Sequence, residues 1–273
     1  MNIAQARQIS IVREMFIDTA DDNYVSARAA YFEHRDRDFW WLILHAMEKY
    51  LKAILLLNGR STKRLGHTMR PLLDAVRDID ERLAPPPFER PAWLGPVRIF
   101  DNVDSDFIWA VDTYGHPNSR YGTYSYVLAR DDILKADHYI YWCRRFARPR
   151  FQRLADGREI DWVSELALNP TLWRHHTSSP IEKLVDLPRD DRRRKPLAEA
   201  NLLFCPGEQE DIVLRGGIAH NAPIYNRIEV LKEAAVGSAE RQTEREILSW
   251  LLANIKFSKE DADFIDEALR ANP

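Results

Sequence analysis

The stretch HAMEKYLKAILLLNG, residues 45–59, limits the folds open to this chain more than any other. At 100° per residue, His45, Glu48, Lys49 and Lys52 share an arc of about 100° on a helix. Ile43, Leu44, Met47, Tyr50, Leu51, Ala53, Ile54 and Leu57 occupy the remainder. Roughly two-thirds of the circumference is then apolar, wider than the stripe of a helix lying on one core. Such a helix packs on more than one side, either at the centre of a bundle or against a second subunit. Its polar stripe has two readings. Glu48 and Lys52 form an i,i+4 ion pair of favourable orientation, which needs only a solvated face. Alternatively the stripe lines a polar groove between helices or protomers.

Helical spacing recurs along the chain. Asp21-Asp22 can cap a helix running to about His34, with Tyr24, Ala27, Ala30 and Tyr31 as its apolar positions. The second helix spans about Asp38 to Asn58, and Gly59 suits the position just past its end. GRSTKRLGH is a polar, basic loop. A third helix over about Thr68–Leu83 carries Leu72, Leu73, Val76, Ile79 and Leu83. The prolines of APPPFERPAWLGP exclude regular helix there. Further helices are expected at about Val97–Asp112 and Val127–Phe146. Beyond Arg148-Pro149-Arg150 the periodicity weakens, LVDLPRDDRRRKP reads as a charged connector, and FCPGEQED and RGGIAHNAP read as turns. Helices return at about Ile228–Ala235, Ala239–Ile255 and Lys259–Ala271, the last capped by Ser258 with Asp261 three residues on. The expectation is a mostly α protein: an antiparallel up-and-down bundle over residues 1–150, and a helical or irregular C-terminal extension over 151–273.

The net charge of −3 on 273 residues gives no whole-molecule attraction to nucleic acid or an anionic membrane, so any such binding needs a local patch. Two cysteines on this length fit a reducing compartment. No signal-peptide core opens the chain, and no run is apolar enough to span a bilayer. A cytoplasmic protein with no membrane partner is expected.

The segment His45-Ala46-Met47-Glu48-Lys49-Tyr50-Leu51-Lys52-Ala53, followed by Asn58-Gly59 and by His67 with Leu72-Leu73, resembles the signature of HEPN domains. Tyr24, Ala27 and Arg28 in the first helix look similar, as does Asn118-Ser119-Arg120-Tyr121 before the last. The resemblance covers roughly residues 20–147. It implies an up-and-down bundle, a homodimer and a role with nucleotides or RNA. The setting it implies is stress, defence or a toxin–antitoxin pair, with a nucleotidyltransferase-type or antitoxin protein as partner. Many members of the broader family are ribonucleases whose motif is an arginine, four to six residues, then a histidine. Histidine suits the base for a 2′-hydroxyl, and arginine suits the phosphorane charge.

In the matching place Arg120 has no histidine within six residues, and Arg130 and His138 stand about 12 Å apart along a helix. The bundle therefore departs from the catalytic pattern and is closer to members regarded as nucleotide-binding or non-catalytic. The spacing does occur at Arg215 and His220, where two intervening glycines argue against a helix. A glycine-rich turn with a neighbouring histidine is the plain alternative. Residues 144–158, RRFARPRFQRLADGR, mix arginines with Phe146 and Phe151. Such a patch suits single-stranded RNA, or it is a helix end whose cations answer the dipole. The nucleotide- or RNA-binding candidates are Glu48, Lys49, Lys52, Arg120, Tyr121, Arg144, Arg145 and Arg148. The catalytic candidates are Arg215 and His220. His175-His176 has no third ligand at useful spacing, and no cofactor or metal motif stands out. Three functions remain open: a nucleotide- or RNA-binding dimer, a metal-independent endoribonuclease, and a protein-interaction scaffold.

Overall fold

The computed structural model describes residues 3–95, 104–117, 126–154, 156–206, 214–219 and 223–273. Its framework is helical. Helix α1 (Ile3–Val12) runs through a π-helical stretch, Arg13–Ile17, into α2 (Asp18–Phe32). Asp21-Asp22 therefore lies inside a helix rather than at its start. Asp21 is fully buried and its carboxylate accepts from Arg144, so it is not free to cap. Three residues with His34 at φ 59° turn the chain into α3 (Asp36–Leu57).

Helix α3 is the central element. It packs against α2, α4 (Met69–Arg77), α5 (Asp104–Tyr114) and α6 (Asp132–Phe146). Its wide apolar arc is thus covered by neighbours within the chain: Phe39, Trp40, Ile43, Leu44, Met47, Tyr50, Leu51 and Ile54 are all buried. Its end is a Schellman motif. Gly59 N–H donates to Leu56 O (3.1 Å), Arg60 N–H donates to Leu55 O (2.8 Å), and Gly59 takes the left-handed φ of 74°. The end of α5 lies close on α3. A Cβ on Gly115 would stand 2.6 Å from Trp40 O and 2.7 Å from Leu44 Cβ.

Two expected helices are shorter than their periodicity suggests. The third stops at Arg77, and the Asp80 carboxylate then caps a 3-10 turn over Glu81–Leu83 by accepting from Arg82 N–H (3.0 Å). The helix expected from Val127 begins at Asp132, whose carboxylate accepts Ala129 N–H at 2.7 Å. Residues Tyr126–Leu128 instead form strand β1. The expected start at Val97 lies outside the described residues.

After α6 come a hairpin of β2 (Phe151–Arg153) and β3 (Glu159–Asp161), then short helices α7 (Trp162–Leu168), α8 (Pro180–Val185) and α9 (Lys195–Ala198). Strand β4 (Gly217–Ala219) precedes α10 (Pro223–Glu233), α11 (Ala239–Asn254) and α12 (Lys259–Ala271). Ser258 caps α12 as expected, accepting Asp261 N–H at 3.1 Å.

The chain divides into two units. The first comprises residues 1–115 and 129–216, so the break expected near 150 lies inside it. Here the segment beyond α6 folds back on the bundle, with α8 and α9 on α2. The second comprises residues 116–128 and 217–273. In it β1 and β4 pair antiparallel, with Tyr126 opposite Ala219 and Leu128 opposite Gly217. Helices α10–α12 enclose a core of Ile224, Ile228, Leu231, Leu248, Ile265 and Ala268. Among the described residues no helix is long and apolar enough to cross a membrane.

Candidate functional site

The polar stripe of α3 is built around a carboxylate taken out of water. Glu48 is buried, yet three nitrogens surround it. Lys52 Nζ donates to Oε1 at 2.6 Å, and His67 Nδ1 lies 3.0 Å from each oxygen. His45 Nδ1 lies 3.5 Å from Oε2. Burial pushes the Glu48 carboxyl up, but the hydrogen bonds from His45, Lys52 and His67 outweigh it and hold the group down at about 2. His67 belongs to the basic loop after α3, so this carboxylate also fastens that loop to the helix. The neighbouring Lys49 faces α2, where its Nζ donates to Asn23 Oδ1 at 2.6 Å, and burial lowers its pKa.

The exposed part of the cluster has a chemical character. The His67 side chain is 56 % exposed. An ionised carboxylate only accepts, so in these hydrogen bonds His67 donates through Nδ1–H. One turn before His45, Trp41 sets its ring edge-on to that imidazole, with centroids 4.3 Å apart, and is itself partly exposed. Two imidazoles, one ammonium and one indole thus gather around a carboxylate whose charge is already satisfied. Such a group can bind an anion, stack a flat ring and move protons. Glu48, Lys49 and Lys52 were legible candidates; His45, His67 and Trp41 complete the site. The signal for His45 is its i−3 offset from Glu48, whereas His67 is brought in by the loop.

The arginine candidates serve a different purpose. Arg144 is fully buried and pairs with Asp21 (2.8 Å) and Glu182 (2.5 Å) while donating to Trp173 O (3.1 Å). Arg145 donates to the carbonyls of Leu166, Asn169 and Leu172. Arg148 donates to the carbonyls of Arg145 and Arg174 and lies over the Trp162 ring. The expected RNA-facing patch is therefore corrected at these three positions: their guanidinium groups turn inward and hold the segment 162–182 against α6. The cause is a run of carbonyls left without partners by irregular chain, which guanidinium donors satisfy.

Arg215 is likewise committed. Its Nε donates to Tyr31 O at 2.6 Å, its Nη2 pairs with Asp36, and its guanidinium lies 4.7 Å from the Tyr31 ring centre. Tyr31 hydroxyl donates to Arg215 O (2.8 Å) and accepts its N–H (3.1 Å). Arg215 thus clips its segment to the α2–α3 corner. His220, Arg120 and Tyr121 lie outside the described residues. His175 is half-buried and donates from Nε2 to Arg144 O at 2.6 Å, and desolvation holds its pKa well below the usual imidazole range. Cys143 and Cys205 are both buried, and they are not joined in a disulfide.

Compared with family models, with curated proteins and with solved structures, the chain matches none.

Proposed function

We propose that this chain is a HEPN-like nucleotide- or RNA-binding protein that acts as a homodimer, with the α3 stripe as its binding face. The observation that carries the reading is the Glu48 cluster. Lys52, His45 and His67 offer N–H donors to a phosphate, and Trp41 offers a stacking face beside them. The resemblance over residues 20–147 adds the cellular setting of stress, defence or a toxin–antitoxin pair, with a nucleotidyltransferase-type or antitoxin protein as partner. The test is titration of labelled single-stranded RNA and of nucleotides in rising salt. Lys52→Ala and His67→Ala are each expected to weaken binding about ten-fold, and Lys52→Ala to reduce the salt slope by about one. A wild-type protein that binds neither ligand sinks the reading. Light scattering checks the dimer.

A second reading, a metal-independent endoribonuclease, is favoured by one observation: two histidines share a single carboxylate. One imidazole would take the 2′-hydroxyl proton as O2′ attacks phosphorus. The P–O5′ bond breaks, the other imidazolium protonates O5′, and a 2′,3′-cyclic phosphate results. Cleavage of an oligoribonucleotide in chelator, lost in both His45→Ala and His67→Ala, supports it. Cleavage retained in both returns attention to Arg215 and His220.

A further inference from the structure

The loop joining α3 to α4 carries uncompensated charge. Between Glu48 and Asp74 the chain has Lys49, Lys52, Arg60, Lys63, Arg64 and Arg70 and no carboxylate, in a protein of net charge −3. Lys49 and Lys52 are taken by Asn23 and Glu48. Arg60, Lys63 and Arg64 are exposed, and among the described residues their side chains make no hydrogen bond or ion pair. Exposed arginines elsewhere differ: Arg82, Arg158, Arg174 and Arg193 each hold a carboxylate at 2.7–2.8 Å.

Both ends of this loop are fastened to α3. Arg60 N–H donates to Leu55 O at one end, and His67 lies against Glu48 at the other. Leu55 and Glu48 are about 10 Å apart along the helix axis, so the loop doubles back beside the last turns of α3. Leu65 N–H donates to Thr62 O at 3.1 Å, closing a turn that holds Lys63 and Arg64. Three free cations thus stand on a short, tied segment that returns to the polar stripe at His67. Trp41, partly exposed, lies about 10 Å beyond Glu48 on the same helix, with His45 between them.

A row of unpaired cations is answered by a row of anions, and surface guanidinium and ammonium groups without partners meet phosphates readily. An acidic peptide brings the charge but no flat ring for Trp41, and a duplex keeps its bases stacked inside. A single strand brings both a row of phosphates and unstacked bases. We propose that the loop over residues 60–67 tracks the sugar–phosphate backbone of a single nucleic-acid strand, DNA and RNA alike, whose bases reach Trp41. The inference rests on the reading of the α3 stripe as a binding face, and it extends the ligand there from a mononucleotide to a strand. Contacts from Arg60, Lys63 and Arg64 go to phosphates, so they carry no preference for sequence or sugar.

The experiment is fluorescence anisotropy of the full chain with labelled oligothymidylate and oligouridylate, each about 12 nucleotides long, in rising salt. Adenosine 5′-monophosphate, a duplex of the same length and polyglutamate are the comparison ligands. The two strands are expected to bind within about two-fold of each other, with a salt slope of about −2 from three phosphates at roughly 0.7 each. The triple variant Arg60→Ala/Lys63→Ala/Arg64→Ala is expected to weaken strand binding at least ten-fold and flatten the slope. It is expected to leave monophosphate binding and the melting curve unchanged. Strand binding with the wild-type slope in the triple variant overturns the proposal, as does a duplex or polyglutamate bound as tightly as the strands. Monophosphate bound as tightly as the strands overturns it while the stripe reading survives. Strand binding lost in the triple variant but unchanged in Lys52→Ala and His67→Ala supports the loop and removes the stripe.

Discussion

Arg144 and Glu48 are both buried and charged, and they illustrate two uses of a buried charge. Arg144 sits between Asp21 and Glu182 with Trp173 O as a further acceptor, so each of its three guanidinium nitrogens has a partner. Removing one partner of such a group leaves the others uncompensated. Arg144→Met is expected to cost about 3–5 kcal/mol in denaturant unfolding, and Arg144→Lys to recover little, because an ammonium cannot reproduce the fork to Asp21. Glu48 instead keeps an opening to solvent through His67. Its carboxyl is depressed from 4.5 to about 2 in the folded state. A depressed carboxylate contributes stability that is present above its unfolded value and lost as pH falls through the folded one. The His67 tie to α3 is therefore expected to hold at neutral pH and to loosen between about 4.5 and about 2. Amide exchange in residues 60–68 measures this; protection unchanged across that window would count against the clamp.

Among the elements, α3 decides the architecture. Its apolar arc is too wide for one neighbour, and α2, α4, α5 and α6 meet it inside the chain. One of these approaches depends on a missing side chain. At Gly115 a Cβ would collide with the Trp40 carbonyl, which cannot swing away as a flexible side chain would. Gly115→Ala is expected to destabilise by about 1–3 kcal/mol, the usual range for overpacking, despite the entropy that alanine would ordinarily save. A melting temperature at or above wild type would show that α5 can retreat from α3 without loss.

For the whole molecule, the second unit has its own core around Ile228, which is fully buried. Ile228→Ala is expected to cost about 2–4 kcal/mol. Amide exchange should report the loss in α10, α11 and α12; unaltered protection there would mean the cavity closes.

Helix spacing is a local property and was largely legible, as was the cap at Ser258, whereas Asp21-Asp22 lies inside α2 and caps nothing. The ends of α3, the Ser258 cap and the span of α12 follow from residues within one or two turns of each other, because the i→i−4 bond and the cap act over that distance. The breadth of the α3 stripe announced a helix with several neighbours, and Glu48 with Lys52 announced a polar face. Other features depend on partners far apart in the chain. Tyr126–Leu128 became a strand because Gly217–Ala219 reaches it, and periodicity in either segment carries no trace of the other. The arginines at 144, 145 and 148 read as a basic patch because a linear view shows charge and not the carbonyls that absorb it. Asp137 read as one more helix residue; its pairing with Tyr24 and Arg28 spans over a hundred positions. Which charges turn inward and which face solvent depends on where distant backbone leaves acceptors unsatisfied, and only the packed chain decides that.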